Sequence, residues 1–398
     1  MDPLPEIEAL VAHEGRAPGS DAERRAARYL QARLGEMGRE ASAEPIEVRP
    51  SFTLTYVLHA LAAIGGSVLA VSAPLPATIV LLVTAASAYG DLTGRVRLTR
   101  RLLTPRRASQ NVLSREDGGR PGTLVLVAHY DAGHGGTAFG WRVSDRAFEA
   151  FLWSIVVALA CSALRLAGID AAPVTIVQFA ATVALIVSIP VLADIGLSSI
   201  VPGANDNASG VATVLRLAER YGGDLDHFDV WVLLTGAEEG MELGMRAWLR
   251  AHRRELHRDS TAFVCVDEVG AGSVRYARRE GYVIRAANNR ELVELCDQIA
   301  EEDAAEDDRY GARAETAHRA TDASAARAAG YAAISLSCRD ARDVAPHHHS
   351  ESDTVENVDP EALDRAFRFC SELIELIDER IGPDLEPVGP DLEPVEPD

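Results

Sequence analysis

Two stretches of this chain, residues 52–89 and 151–193, are almost free of charge and break the pattern of an ordinary soluble domain. Each is divided once, the first by Pro74-Leu75-Pro76 and the second near Gly168-Ile169-Asp170, so each reads as a helical hairpin. The pieces that start at Thr53 and Ala172 approach the roughly 20 residues a bilayer requires, and the other two are nearer to about 15. Arg165 lies inside the third piece. Buried hairpins or a dimerisation surface in a soluble protein would also use such sequence. Charge asymmetry favours the membrane: Arg95, Arg97, Arg100, Arg101, Arg106 and Arg107 crowd the exit of the first hairpin, and Arg142 and Arg146 precede the second. The opening Met1-Asp2-Pro3-Leu4-Pro5-Glu6 has no basic segment followed by an apolar one, so no cleaved leader is expected. The expectation is a multi-pass protein of the cell membrane whose remaining sequence stays in the cytoplasm.

Outside the hairpins the chain can build a sizeable core, since 47% of its 398 residues are apolar. Its 39 basic residues, all arginine, face 60 acidic ones for a formal charge of −21, which argues against nucleic acid as a partner. Cys161, Cys265, Cys296, Cys338 and Cys370 are scattered, without a Cys-x-x-Cys pair, and read as buried single thiols.

Short apolar runs at 123–128, 229–234, 262–266 and 332–337 have the character of parallel strands buried on both faces. Amphipathic helices lie between them. Ser20-Asp21-Ala22-Glu23 is a capping box ahead of a stripe of Tyr29, Leu30, Leu34 and Met37 that Gly38 closes. Val211, Val214, Leu215 and Ala218 line a second helix. Leu363, Phe367, Cys370 and Ile374 line the last, which Asp359 caps, Pro360 opens and Gly382 ends. The fold class is therefore α/β, a mixed and largely parallel central sheet sandwiched by helices, with two apolar helical hairpins inserted. The core domain occupies 1–51, 95–147 and 201–381, the hairpins 52–94 and 148–200. An acidic, proline-rich tail at 382–398, built on a repeat of Gly-Pro-Asp-Leu-Glu-Pro-Val, is expected to be disordered.

Five polar motifs follow these strands or open a helix, where parallel sheets collect their active sites. They are His129-Tyr130-Asp131, Asp206 within residues 202–210, Glu238-Glu239, Asp267, and His349 within His347-His348-His349-Ser350-Glu351-Ser352-Asp353-Thr354. Two histidines and three carboxylates suit two zinc ions if one carboxylate bridges them. A further glutamate beside a metal-bound water could take its proton and hand it to a leaving amine.

In these motifs the chain resembles the dizinc aminopeptidases of peptidase family twenty-eight, whose relatives include glutaminyl cyclases and glutamate carboxypeptidases. The resemblance implies the zinc-exopeptidase fold. It also implies one zinc on His129, Asp267 and Asp206 and another on His349, Glu239 and Asp206, with Glu238 as general base and Asp131 as partner of the His129 ligand. His347 and His348 would be neighbours, and the Asp206-Asn207 peptide bond would be cis. The chain departs from the family at Thr321-Asp322-Ala323, where many relatives have Ser-Asp-His. It departs again in the span of about 77 residues from His129 to Asp206, where relatives have a much shorter loop. The implied function is removal of N-terminal residues from peptides with a free amine. Glutaminyl-cyclase-like or carboxypeptidase activity, and a membrane scaffold on a silent peptidase fold, are the alternatives.

Overall fold

The computed structural model describes residues 1–140 and 146–385. Arg142, counted above in the charge asymmetry, and most of the repeat tail fall outside those residues.

The chain opens with helices α1 (Leu4–Val11) and α2 (Asp21–Glu36) and strand β1 (Ala41–Val48). Ser20 caps α2 by accepting from the amide of Glu23, as the capping box predicts. The Glu23 side chain does not close the box on Ser20, however, and accepts instead from Ser109 and the amides of Gly19 and Ala237. The first hairpin follows as α3 (Phe52–Leu69) and α4 (Pro74–Leu92), then α5 (Leu98–Leu103), β2 (Arg107–Ser114) and β3 (Gly122–His129). The second hairpin is α6 (Ala147–Leu166) and α7 (Ala172–Leu197). Next come α8 (Gly210–Tyr221), β4 (Phe228–Thr235), α9 (Leu243–His252), β5 (Thr261–Val266), β6 (Ser273–Glu280) and β7 (Ala286–Ala287). The chain finishes with α10 (Arg290–Glu306), β8 (Arg313–Ala317), α11 (Asp322–Ala328), β9 (Ala332–Arg339) and α12 (Pro360–Arg380).

One sheet runs in the order β1-β2-β4-β3-β5-β9-β6-β7, with β8 paired to β6. Its four middle strands, β4, β3, β5 and β9, are mutually parallel and coincide with the four apolar runs read from the sequence. Antiparallel pairs flank them on both sides. Those outer strands escaped the sequence reading because Ser42, Glu44, Pro45 and Glu47 interrupt β1 and β6 ends in charged residues, which leaves no continuous apolar signal. The stripes of α8 and α12 pack on the sheet with α2 and α10 in one core, and α9 and α11 cover the other face. All five cysteines are unpaired and buried.

The four apolar helices contain 18, 19, 20 and 26 residues, long and apolar enough to cross a membrane by length and composition. Those of α4 and α6 are longer than the pieces of about 15 residues expected. Both extend through polar residues with partners elsewhere in the fold: Asp91 near the end of α4 pairs with Arg100, and Glu149 at the start of α6 pairs with Arg285. The hairpins pack against each other, α3 on α7 and α4 on α6. Hydroxyl pairs tie them together, Ser67 to Thr182 at 2.7 Å and Thr78 to Ser162 at 2.8 Å. Arg165 is satisfied near the turn of its hairpin by Gln178, Thr175 and Asp170. Outward-facing side chains such as Leu61, Leu82, Ile176 and Phe179 remain exposed.

Candidate active site

The ends of the parallel strands converge on one cluster. His129 ends β3, and the turn beyond it buries Asp131 completely. The two carboxylate oxygens of Asp131 accept from successive amides, Glu238 at 3.0 Å and Glu239 at 3.1 Å. This grips the short helical turn after β4 on which both glutamates stand. That turn is bounded by Ala237 and Met241, both with positive φ.

Asp206 lies in the irregular segment Ala204–Ser209 ahead of α8, and the Asp206-Asn207 bond is cis. Asp353 holds this segment by accepting from the amides of Asn205 at 2.6 Å and Asp206 at 3.1 Å. Arg16, almost wholly buried, ties it to the His129 loop by donating to the carbonyls of Tyr130, Pro202 and Gly203. The sequence shows Asp353 only as part of the last motif and gives no sign of Arg16, which sits in no motif and acquires its role from loops far away in the chain.

The carboxylate of Asp206 lies between the two imidazoles named from the resemblance. Its Oδ1 is 3.3 Å from Nε2 of His129, and its Oδ2 is 3.6 Å from Nε2 of His349. Around His129 Nε2 stand Asp267 at 3.4 Å and Glu238 at 3.9 Å, and around His349 Nε2 stands Glu239 at 3.1 Å. The two groups of side chains named from the resemblance are thus brought together. His349 Nδ1 lies 2.7 Å from the carbonyl of His134, which can only accept, so Nδ1 carries a proton and Nε2 is the ring nitrogen turned to the carboxylates.

His348 is closer to the cluster than the sequence suggested. Its Nδ1 is 2.9 Å from Asp206 Oδ2 and 2.7 Å from Glu268, and Arg319 contacts the same ring. His347 turns away to Ser352. Positive φ at His347 and His349 lets three successive histidines point in different directions, a feature the residue order alone does not display. Gly133 leaves the room the cluster needs, since a Cβ there would collide with the His349 ring and the Glu239 carboxylate.

The electrostatics are those of a site short of positive charge. Burial, with the carboxylates of Asp322, Glu239 and Asp267 outweighing His129, pushes Glu238 well above the usual range. Burial would also raise Asp206, but its bonds to His129 and His348 hold it well below. Burial works against a charged His349, yet Glu239 and Asp206 raise it to about 9. Glu239 Oε1 and Asp267 Oδ1 are buried without a hydrogen-bond partner among the described residues. Orphaned acceptors of this kind are costly unless a cation meets them. His129, Asp206 and Glu239 offer ligand atoms within 4.8 Å of one another, as do Asp206, His348 and His349, so the donor set fits zinc.

The cluster forms one wall of a cavity of about 190 Å³. Thr321 lines it, while Asp322 turns beneath and accepts from the Thr235 hydroxyl. Tyr282 also lines it, and burial together with Glu242 and Glu238 raises its phenol well above the usual range, which keeps the O–H as a donor.

A parallel sheet with carboxylates and imidazoles gathered at its strand ends is the architecture of zinc-dependent exopeptidases, and comparison with solved structures agrees. The aminopeptidase from Aneurinibacillus sp. strain AM-1 superposes with a TM-score of 0.55 at 15% identity, over 99% of this chain and 96% of that one. A Zn-dependent exopeptidase from Parabacteroides distasonis gives 0.53 at 14% identity, over 95% and 97%. Tannerella forsythia glutaminyl cyclase gives 0.53 at 14%, over 94% and 97%. At such identities the likeness concerns the fold.

Residues 188–374 match the family model described as peptidase family M28, so the resemblance read from the motifs is borne out over that segment. The match begins inside α7 and takes in Asp206, Glu238, Glu239, Asp267 and His349. His129 and helices α3, α4 and α6 precede it. No curated protein matches the chain.

Proposed function

We propose that this chain is a membrane-tethered zinc exopeptidase of the aminopeptidase type, acting on peptides with a free N-terminus. The observation that carries the reading is the carboxylate of Asp206 shared between His129 and His349, with Glu238 beside them. In this reading His129, Asp206 and Asp267 hold one zinc ion, and His349, Glu239 and Asp206 hold a second. Zinc there supplies Lewis acidity toward the scissile carbonyl and acidifies water.

Glu238 is not needed as a ligand and acts as the base. It takes a proton from the attacking water as the oxygen adds to the carbonyl carbon, then gives that proton to the nitrogen as the C–N bond breaks. Asp131 keeps Glu238 and Glu239 in place through their amides. The acidic surroundings of the cluster also favour a protonated substrate amine. Both hairpins enter the bilayer from the cytoplasmic side in this reading, and the domain bearing the cluster stays in the cytoplasm.

The test is a panel of aminoacyl reporters, N-blocked reporters and peptides with N-terminal glutamine, run with zinc and with a chelator. Zinc-dependent cleavage confined to free-amine substrates supports the proposal. Cleavage of blocked substrates alone, or cyclisation of glutamine without hydrolysis, would overturn it.

A further inference from the structure

The wall of the cavity that faces the ligand cluster is made largely by the inserted helices. Ser188, Val191, Leu192 and Ile195 of α7 line it at a spacing of i, i+3, i+4 and i+7, a single helical face. Phe52 and Tyr56 join from the first turns of α3, one turn apart, and Phe148 and Phe151 from the first turns of α6. The rings form a connected group: Phe148 lies 5.2 Å from Tyr56 and 5.3 Å from Tyr282, and Tyr56 lies 5.7 Å from Phe151. Phe139 continues the apolar surface to the cluster, 4.3 Å from the His349 ring.

The two polar side chains that the inserted helices bring to this wall are already engaged. The Tyr56 hydroxyl donates to Asp91 at 2.9 Å, and the Ser188 hydroxyl donates to the Leu185 carbonyl at 2.7 Å. A charged or hydrogen-bonding group placed against it would lose water without replacement, whereas an apolar group loses nothing. The residues from α3 and α6 also precede the segment that matches the family model, so this part of the chamber belongs to the insertions.

We propose that the inserted helices form a specificity subsite for a large apolar side chain, aromatic or branched aliphatic, next to the bond that is cut. Resting on the aminopeptidase reading, that side chain belongs to the N-terminal residue of the substrate. The hairpins therefore select the substrate as well as tethering the enzyme.

Calorimetric titration of the full-length, zinc-loaded protein with non-hydrolysable probes tests this without turnover. L-Phenylalaninol and L-alaninol share an amine and differ in the apolar group; 3-phenylpropionate carries the phenyl ring on a carboxylate. Phenylalaninol is expected to bind at least about tenfold more tightly than alaninol, from burial of the ring. Val191→Trp, which fills the chamber, should bring that ratio close to one, and Phe148→Ala should lower it. Zinc content and melting temperature show that each variant is folded. Equal affinity for the two amino alcohols, or a preference that neither substitution changes, overturns the proposal. Binding of 3-phenylpropionate that Val191→Trp abolishes, with no binding of phenylalaninol, supports the apolar subsite and removes the aminopeptidase reading instead.

Discussion

Arg100 and Asp91 form an ion pair of 2.7 Å in which both side chains are almost wholly buried, at 1% and 2% exposure. Asp91 belongs to α4 and also accepts from Tyr56 of α3, while Arg100 donates to the carbonyl of Gly240 at 2.6 Å. Arg97 donates to the next carbonyl, that of Met241, at 2.8 Å. The first hairpin is thus bonded to the turn that carries Glu238 and Glu239. Two of the arginines counted toward a basic membrane flank have this internal use, while Arg95, Arg101, Arg106 and Arg107 stay exposed.

Removing one member of such a pair leaves a buried charge without its partner. Arg100→Met is expected to destabilise the protein by roughly 3–5 kcal/mol, and Asp91→Leu combined with Arg100→Met by less than the sum of the single changes. Denaturant unfolding of the four members of this cycle measures it. Additive effects would mean that the pair is not coupled as its geometry indicates.

On the proposed division of roles, Glu238→Gln should lower turnover by about 100-fold or more while zinc content stays that of the unsubstituted protein, because a base would be lost and a ligand would not. Glu239→Gln should lose metal. Elemental analysis beside kinetics separates the two, and similar zinc content and activity in both variants would refute the division of roles.

Burial, only partly offset by Arg327, raises Glu280 to about 7. Between the ordinary glutamate range and that value the folded chain keeps a proton that the unfolded chain has released. Its contribution to stability therefore falls as pH rises from about 4.5 to 7 and is level above. Glu280→Gln lacks this proton, so its stability relative to the unsubstituted protein should improve across that window, by up to about 3 kcal/mol. Unfolding of both proteins from acid to neutral pH provides the check, and a constant difference would count against the shift.

If both hairpins cross the bilayer from the cytoplasm, protease added to sealed cells should leave the domain that carries His129, Asp206 and His349 intact, and the protein should fractionate with membranes. Digestion from outside, or recovery in the soluble fraction, would overturn that topology.

What the sequence determined by itself was local. Continuous apolar runs gave the four parallel strands, because strands covered on both faces need no polar positions. Asp359, Pro360 and Ser20 marked helix starts through the chemistry of their own side chains, and the ligand motifs could be read because each hugs a strand end or a helix start. What only the tertiary structure decided depends on residues far apart meeting. Arg16 reaches Gly203 across 187 positions, and His348 rather than His347 turns to Asp206. The two hairpins, apart in sequence, bring their aromatic ends to one cavity over the cluster. Apolar periodicity tells a helix to bury a face but not against which surface. That choice is made by packing, which only the folded chain contains.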